Sequence, residues 1–204
     1  MRFNALSDKG NKRSLNEDDF YINKDINFLM VADGMGGHAA GEVASQTAVN
    51  SAADFNFDLS KPLESLSQLT YKINQKIIKK SQQDSDYAGM GTTFAAVIIQ
   101  NNNLYYVNLG DSRIYLYNKQ KKSLRKISKD HSLVADLLRK GKITEEEAFN
   151  HPQKNIVTQA LGLENDLDLD KGQIKISAAD NVLLCTDGLT DMIRENEIEA
   201  VFRE

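Results

Sequence analysis

Two helical patterns follow each other directly in this 204-residue chain, and runs of strand pattern lie on both sides of them. In residues 38–55 and again in residues 63–78, small and apolar side chains recur at the spacing of one helix face. Residues 19–32 before them and residues 92–117 after them are rich in β-branched and aromatic side chains. Helices that are grouped between strands, rather than alternating with them, predict α+β layers and not a doubly wound parallel sheet.

The second half of the chain adds further strand patterns. Strands are predicted at residues 92–99, 104–109, 114–117, 173–176 and 181–186. Polar turns separate the first three of these strands, so we expect an antiparallel meander there. The basic run from Lys119 to Lys126 is predicted to be a solvated face.

Residues 132–155 have a different character from the strands around them. Two short helical patterns, at residues 133–139 and 144–149, lie on either side of Gly141 and have polar ends. This segment is predicted to be a small flap inserted over the sheet.

Three apolar runs end in an aspartate, at Asp33, Asp111 and Asp187. Carboxylates that converge at the tips of buried strands repel one another unless cations neutralise them. Oxygen ligands favour Mg²⁺ or Mn²⁺, and the chain has neither a Cys/His ligand pattern nor an HExxH motif for zinc. Glycine follows Asp33, which leaves the backbone carbonyl of Gly34 free to approach a metal. One Asp-Gly pair alone is more often a turn or a helix cap, but three strand-end aspartates, together with the charged group near the N-terminus, predict a hard-metal site.

A second group of charged residues lies near the N-terminus. Arg13 carries a planar fork of donors that suits two phosphate oxygens, and it stays charged at any working pH. Glu17 and Asp18 follow it and could hold metal-bound waters in place. Alone, such a group is more often a surface patch of salt bridges.

Composition excludes several classes of function. With 29 acidic and 25 basic residues the net charge is only −4, so no overall field recruits nucleic acid or an anionic membrane. No run of apolar residues reaches the length of about 18 that spans a bilayer. The one cysteine, Cys185, forms no internal disulfide. We therefore expect a cytoplasmic protein that binds neither nucleic acid nor membrane.

Two other readings of the motifs are weak. Gly34, Gly36 and Ala39 have the spacing of a dinucleotide-binding fingerprint, and Asp54 follows at the required distance, but Asp54 ends a helical pattern and no compact βαβ unit follows. A cysteine-dependent phosphatase needs an arginine six residues after its cysteine, whereas Asp191 stands there after Cys185. Cys185 is predicted to be a small core residue.

Seven short motifs run along the chain: Arg13-x-x-Asn16-Glu17-Asp18, Asp33-Gly34-Met35-Gly36-Gly37, Gly91-Thr92-Thr93, Gly110-Asp111-Ser112-Arg113, Asp130-His131-Ser132, Leu161-Gly162 and Thr186-Asp187-Gly188-Leu189. Their order resembles that of metal-dependent serine/threonine protein phosphatases of type 2C, and residues 143–152 resemble the flap of the bacterial members. The resemblance covers essentially the whole chain. It implies an α+β fold, an αββα four-layer sandwich of two central, mostly antiparallel sheets flanked by helices. It also implies a single phosphatase domain over residues 1–204, with residues 132–155 as its flap.

The resemblance assigns roles to the residues of these motifs. Asp33 would bridge two Mn²⁺ or Mg²⁺ ions, the carbonyl of Gly34 would bind one of them, and Asp187 would ligate the other. Asp111 would help to bind a third, weaker ion. Arg13 would bind the phosphate of phosphoserine or phosphothreonine, and a water activated by the metals would attack phosphorus without a phosphoenzyme. The implied partners are phosphorylated serine/threonine proteins and, by analogy, a cognate serine/threonine kinase and its targets. We expect a monomer.

The chain departs from the family pattern in two places. Met35 stands where many eukaryotic members have a histidine assigned as the general acid, and His38 is the nearest alternative, although a histidine at a helix start also fits a capping or surface residue. Family members also carry a later Asp-Asn pair whose aspartate completes the metal site with Asp187, whereas this sequence ends at Glu204 within a helical pattern. We expect a fragment of a longer protein. The alternative is a naturally incomplete relative, a regulatory or binding module with little activity.

Overall fold

The computed structural model describes residues 1–37 and 40–203. The described strands are β1 (Asp18–Asn23), β2 (Phe28–Met35), β3 (Gly91–Thr92), β4 (Phe94–Gln100), β5 (Asn103–Leu109), β6 (Arg113–Asn118), β7 (Ser123–Lys126), β8 (Asp170–Lys175) and β9 (Asn181–Cys185). The described α-helices are α1 (Ala40–Ala53), α2 (Pro62–Gln83), α3 (Leu133–Arg139), α4 (Glu145–Phe149), α5 (Asp187–Thr190) and α6 (Glu195–Arg203).

The strands form two antiparallel sheets. The larger sheet has the strand order β1-β2-β4-β5-β8, and β3 pairs with the end of β2. The smaller sheet has the order β7-β6-β9. Helices α1 and α2 come between the strands of the larger sheet in sequence, as the grouping of patterns predicts. The predicted α+β class with two antiparallel sheets is confirmed.

Strand β4 shows how the layers are stacked, because both of its faces are buried. Side chains alternate between the two faces of a strand. Phe94, Ala96 and Ile98 belong to the core beneath α1 and α2, whereas Ala95, Val97 and Ile99 belong to the core between the two sheets. This alternation makes β4 the centre of the sandwich and explains why its sequence is apolar almost throughout.

The two long helices cover the outer face of the larger sheet in different ways. Helix α1 buries alanines spaced four residues apart, at Ala40, Ala44, Ala48 and Ala52, and their small side chains let the helix lie close to β1 and β2. Helix α2 buries Leu66, Leu69, Ile73 and Ile77, each of which contributes about 1.5–3 kcal/mol through its burial. Pro62 at the first position of α2 fixes where that helix starts.

The outer layer on the other side is helix α6, which packs against β7. Ile198 of α6 is buried, and the Phe202 ring stacks on Tyr117 of β6 with the ring centroids 5.2 Å apart. The order of layers is therefore helices, larger sheet, smaller sheet and helix. This is the predicted αββα sandwich.

Strand β6 does not continue the larger sheet, so the predicted meander is wrong at its third strand. Strand β5 pairs with β4 and β8, whereas β6 pairs with β7 and β9. The chain crosses between the sheets at Gly110, whose φ of +101° favours glycine. A Cβ on Gly110 would lie 2.6 Å from Cγ2 of Thr93. Turn geometry and close packing, which strand propensity does not reveal, direct β6 into the smaller sheet.

Strand β7 lies inside the basic run of residues 119–126, for which the sequence predicts a solvated face. It is an edge strand, and the Arg125 side chain is exposed there. Lys126, however, turns to the interior side and its Nζ lies 3.1 Å from Oδ1 of Asp130. Edge strands often carry charged side chains, because only one of their two edges is paired. The charges of β7 therefore did not indicate a strand.

Helices α3 and α4 lie where the two short helical patterns predict them. The Ser132 side chain accepts a hydrogen bond from the backbone N–H of Ala135 at the start of α3. At the start of α4, Thr144 and Glu147 form a reciprocal capping box. Polar caps rather than buried apolar side chains define these helices, since neither helix has a fully buried residue.

Candidate functional site

Three of the predicted site residues, Asp18, Asp33 and Asp187, come together where the ends of several strands meet. Asp18 of β1 lies directly opposite Asp33 of β2 in the strand register, so their side chains are on the same face. The Thr186 hydroxyl donates a 2.9 Å hydrogen bond to Oδ2 of Asp18, and Asp187 follows Thr186 at the start of α5. The strand β1, the strand β2 and the start of α5 therefore deliver their carboxylates to one place.

The environment of these carboxyls raises their pKa values. Burial, and then the charges of Asp18, Asp187 and Asp111, raise the pKa of Asp33 to about 9. Burial and then the Asp187 charge raise the pKa of Asp111 to about 7. Burial also raises the pKa of Asp18 and of Asp187. With its pKa raised this far, Asp33 would keep its proton at neutral pH unless cations neutralise the group.

The oxygen atoms and the negative charge of these carboxylates suit a hard divalent cation. Within residues 1–37 and 40–203, no three or more histidine, cysteine, aspartate or glutamate side chains are grouped so that they could hold an ion by themselves. Mg²⁺ typically binds one or two carboxylates and keeps several waters in its octahedron. A pair of positive ions would neutralise the repulsion that otherwise forces Asp33 to keep a proton.

The backbone around Gly34 is packed too closely for any side chain. A Cβ on Gly34 would lie 2.1 Å from the carbonyl oxygen of Gly41, and one on Gly41 would lie 2.4 Å from Oε1 of Glu17. The Gly34 N–H also donates a 3.0 Å hydrogen bond to the Glu17 carbonyl. Glycine at both positions lets the end of β2, the start of α1 and the Glu17 side chain meet.

Arg13 lies on the solvent side of the carboxylate group. Its Nη1 is 3.2 Å from Oε2 of Glu17, and its side chain is 75% exposed whereas that of Glu17 is 16% exposed. Burial dominates the raised pKa of Asp18 and of Asp187, and the Arg13 charge opposes it at both. The half-buried Glu17 carboxylate therefore holds the guanidinium beside the group, while most of the Arg13 donors face solvent.

A cavity of about 670 Å³ opens next to Asp111 and Asp187. Its other wall is the flap segment, with Ala135 and Leu138 from α3 and Phe149 from α4. The structure thus places Asp111 at the boundary between the carboxylate group and the flap, with its side chain almost fully buried.

Contacts that the sequence pattern did not reveal hold the flap to the segment after Asp187. Arg194 donates to both carboxylate oxygens of Glu146 at 2.8 and 2.9 Å, and its guanidinium lies 4.4 Å from the centroid of the Phe149 ring. Nζ of Lys154 is 3.0 Å from Oδ2 of Asp191. Glu146 and Arg194 are 48 residues apart, and neither belongs to a recognisable motif, so no local sequence pattern indicates that they pair.

The rival motifs lose their support in the structure. Burial raises the pKa of Cys185 to about 12, so its thiol is not a nucleophile at neutral pH. Asp54 follows helix α1 rather than a strand, and α1 leads into α2 instead of a parallel strand. His38, considered as a general acid, lies outside the described residues. None of the helices in the described part of the chain is long and apolar enough to span a membrane.

The sandwich, with its carboxylates at one end, is the architecture that the resemblance to metal-dependent type 2C phosphatases implies. A family model described as protein phosphatase 2C matches residues 10–204. Serine/threonine phosphatase stp of Listeria monocytogenes is 40% identical over 212 residues, which cover 100% of this chain and 83% of that protein. The chain belongs to the protein phosphatase 2C family.

Solved structures agree with this assignment. The Mycobacterium tuberculosis serine/threonine phosphatase PstP/Ppp superposes with a TM-score of 0.91 at 37% identity, over 99% of this chain and 85% of that one. The catalytic domain of PstP in complex with two manganese ions gives a TM-score of 0.87 at 35% identity, over 100% of this chain and 84% of that one. The family and the manganese-bound neighbour support a metal-dependent enzyme.

Proposed function

We propose that this chain hydrolyses phosphoserine and phosphothreonine in proteins, as a metal-dependent member of the protein phosphatase 2C family. The observation that carries the proposal is the group of Asp18, Asp33, Asp111 and Asp187, in which burial and then the charges of the other three aspartates raise the pKa of Asp33 to about 9. A group that crowds four carboxyls needs cations to become ionised. Its place beside an exposed arginine suits a phosphate ester.

The metal ligands are part of the proposal. Asp33 would be shared by two ions, the Gly34 carbonyl and Asp187 would complete the ligands that this chain contributes to the pair, and Asp111 would help to bind a third ion. The ions are Mn²⁺ or Mg²⁺, and the two manganese ions in the PstP neighbour support this choice. When bound, they supply water activation and stabilisation of the charge that develops on the phosphoryl group.

The other residues of the site bind and orient. Arg13 binds two phosphate oxygens through its free donors, and its contact with Glu17 keeps the guanidinium in place. Asp18 is fixed by the Thr186 hydroxyl, so it orients water at the edge of the site. Because no side-chain nucleophile is needed and Cys185 stays a buried thiol, no phosphoenzyme forms.

The partners follow from this chemistry. Phosphoproteins are the substrates, and we propose a cognate serine/threonine kinase and its targets as their source. The flap over residues 132–155 lies beside Asp111 and is the part of the single phosphatase domain that meets the protein substrate. The cytoplasmic location and the monomeric state expected from the sequence stay predictions.

The test is hydrolysis of p-nitrophenyl phosphate and of a phosphothreonine peptide, with and without Mn²⁺. We expect turnover that needs Mn²⁺ or Mg²⁺, is abolished by EDTA and is unaffected by iodoacetamide. Asp33→Asn should lower kcat at least about a thousandfold, since losing roughly 4 kcal/mol of charge stabilisation has that effect. Asp54→Asn, at an exposed aspartate after α1, is the matched control and should be unchanged.

Two results would contradict the proposal. Near-normal turnover in the Asp33→Asn variant would show that the metals are held elsewhere. Phosphopeptide binding with no turnover at any Mn²⁺ concentration would instead support the regulatory or binding module that the sequence left open.

A further inference from the structure

A buried pair of hydroxyls connects the strand β2, which carries Asp33, to the turn before β6, which carries Asp111. The backbone N–H of Asp33 donates a 2.9 Å hydrogen bond to Oγ1 of Thr93. The same oxygen lies 2.6 Å from Oγ of Ser112, the residue that follows Asp111. Both hydroxyl side chains are buried, with exposures of 1% for Thr93 and 0% for Ser112. Thr93 thus bonds the strand β2 and the turn before β6 through one oxygen atom.

Further contacts of the same segment hold the Asp33 backbone on its other side. The Thr93 N–H donates to the Asp33 carbonyl at 2.9 Å, and the Thr92 hydroxyl donates to the same carbonyl at 2.9 Å. The peptide groups on both sides of the Asp33 Cα are therefore fixed, and the carboxylate can vary only through its own side-chain torsions. Neutral residues fix this aspartate without adding charge to the group.

Thr93 also contacts the residue that precedes Asp111. A Cβ on Gly110 would lie 2.7 Å from the Cβ of Thr93 and 2.6 Å from its Cγ2, so the two residues pack backbone against side chain. Thr93 therefore touches the neighbours of Asp111 on both sides, Gly110 through its methyl group and Ser112 through its hydroxyl.

We propose that Thr93 is a positioning residue whose hydroxyl fixes Asp33 relative to Asp111 and thereby sets the affinity for divalent metal. The inference rests on the proposed function, because it takes both aspartates as metal ligands. Two aspartates that would ligate neighbouring ions can bind them well only if the backbones that carry the aspartates are held in register. Residues that orient ligands in this way typically change metal affinity about 10- to 100-fold when they are altered.

The test compares variants that keep the shape of Thr93 with one that keeps its hydroxyl. Thr93→Val preserves the packing against Gly110 but removes both hydrogen bonds of the oxygen, and should weaken Mn²⁺ binding about tenfold or more. Thr93→Ser keeps the hydroxyl and should restore most of the affinity. Mn²⁺ binding is measured directly by electron paramagnetic resonance of the free ion, in the absence of substrate. The KM for p-nitrophenyl phosphate at saturating Mn²⁺ should stay near the parent value, since Arg13 is untouched.

Thr70→Val is the matched control, because Thr70 is a fully buried threonine whose hydroxyl bonds a carbonyl within α2, away from the site. It should leave Mn²⁺ affinity unchanged even if it lowers the thermal stability in EDTA as much as Thr93→Val does. If Thr93→Val does not fold, Ser112→Ala carries the test, since it removes one bond of the same pair and should also weaken Mn²⁺ binding.

The results distinguish a failure of the proposed function from a failure of the positioning role of Thr93. A parent protein that binds no Mn²⁺ overturns the proposed function and this inference with it. A parent protein that binds Mn²⁺, with equal affinity in Thr93→Val or in Ser112→Ala when the valine variant is unfolded, overturns only the positioning role. Equal weakening by Thr93→Ser and Thr93→Val would assign the effect to packing rather than to the hydroxyl, and would also contradict the inference.

Discussion

Arg13 differs from the other proposed site residues because its charge faces solvent rather than the interior. It pairs with Glu17 through Nη1 at 3.2 Å and leaves the rest of the fork free. Hydrogen bonds to charged groups contribute about 1.5–3 kcal/mol, so Arg13→Ala should raise KM for phosphothreonine peptide about 10- to 100-fold. The effect on kcat should be smaller, and steady-state kinetics at saturating Mn²⁺ measure both.

Two further variants make the role of Arg13 specific. Arg13→Lys keeps the charge but not the planar fork, and its KM should fall between those of the parent and the alanine variant. Arg125→Ala removes an exposed arginine from the edge strand β7 and should leave KM unchanged. An Arg13→Ala variant with the parent KM would remove Arg13 from phosphate binding.

At the scale of elements, the sequence predicts what local patterns determine. The periodicity of α1 and α2 and the apolar run of β4 follow from burial on one or both faces, so their positions are predicted to within a few residues. The strand β7 is hidden by its charges, and the pairing of β6 depends on the turn at Gly110 and its packing against Thr93. Partner choice between strands is a tertiary property, which propensity does not encode.

The candidate site divides in the same way. Asp33, Asp111 and Asp187 can be found because each ends an apolar run, and the strand register then brings Asp18 next to Asp33. The contacts that fix these residues could not be found in this way. Thr186 donates a hydrogen bond to Asp18, which is 168 residues away in the sequence. The Thr93 hydroxyl is hydrogen-bonded to that of Ser112, which lies in the turn that connects the two sheets. These hydrogen-bond partners lie far apart in the sequence, and only the folded structure brings them together.

The flap helix α4 is held to the chain after Asp187 by the Arg194–Glu146 ion pair and by Phe149 beneath the guanidinium. Arg194→Glu should release this helix, because it replaces an attraction with a repulsion and removes the contact with the ring. We expect faster amide hydrogen exchange in residues 144–154 and a higher KM for phosphopeptide. The global melting temperature should change little, since the pair lies at the surface.

The double variant Glu146→Arg with Arg194→Glu should recover part of the protection, because it restores opposite charges. The matched control is Arg203→Glu, which breaks the exposed Arg203–Glu199 pair within α6 and should leave exchange in the flap unchanged. Unaltered exchange in the Arg194→Glu variant would mean that packing of α3, not this ion pair, holds the flap.

For the whole molecule, the carboxylate group makes stability depend on metal and pH. The folded pKa of Asp33 is about 9 and that of Asp111 about 7, whereas the ordinary value is 3.8. In EDTA the folded protein therefore binds more protons than the unfolded chain between about pH 4 and pH 9, and its free energy of unfolding should fall as pH rises through this range. Asp33→Asn removes the largest part of this cost, so in EDTA at pH 8 the variant should melt at a higher temperature than the parent protein.

Divalent metal should make the parent protein melt at a higher temperature than the Asp33→Asn variant. Mn²⁺ at about 100 times its Kd adds about 2.7 kcal/mol to the free energy of unfolding of the parent, or roughly 5–10 °C in melting temperature for a domain of this size. The Asp33→Asn variant should gain little, because its bridging ligand is gone. Differential scanning calorimetry of both proteins at pH 5 and pH 8, with EDTA or Mn²⁺, measures the four comparisons. A parent protein that is as stable as the variant in EDTA at pH 8 would show that its carboxylates do not repel one another, and the metal site would lose its physical basis.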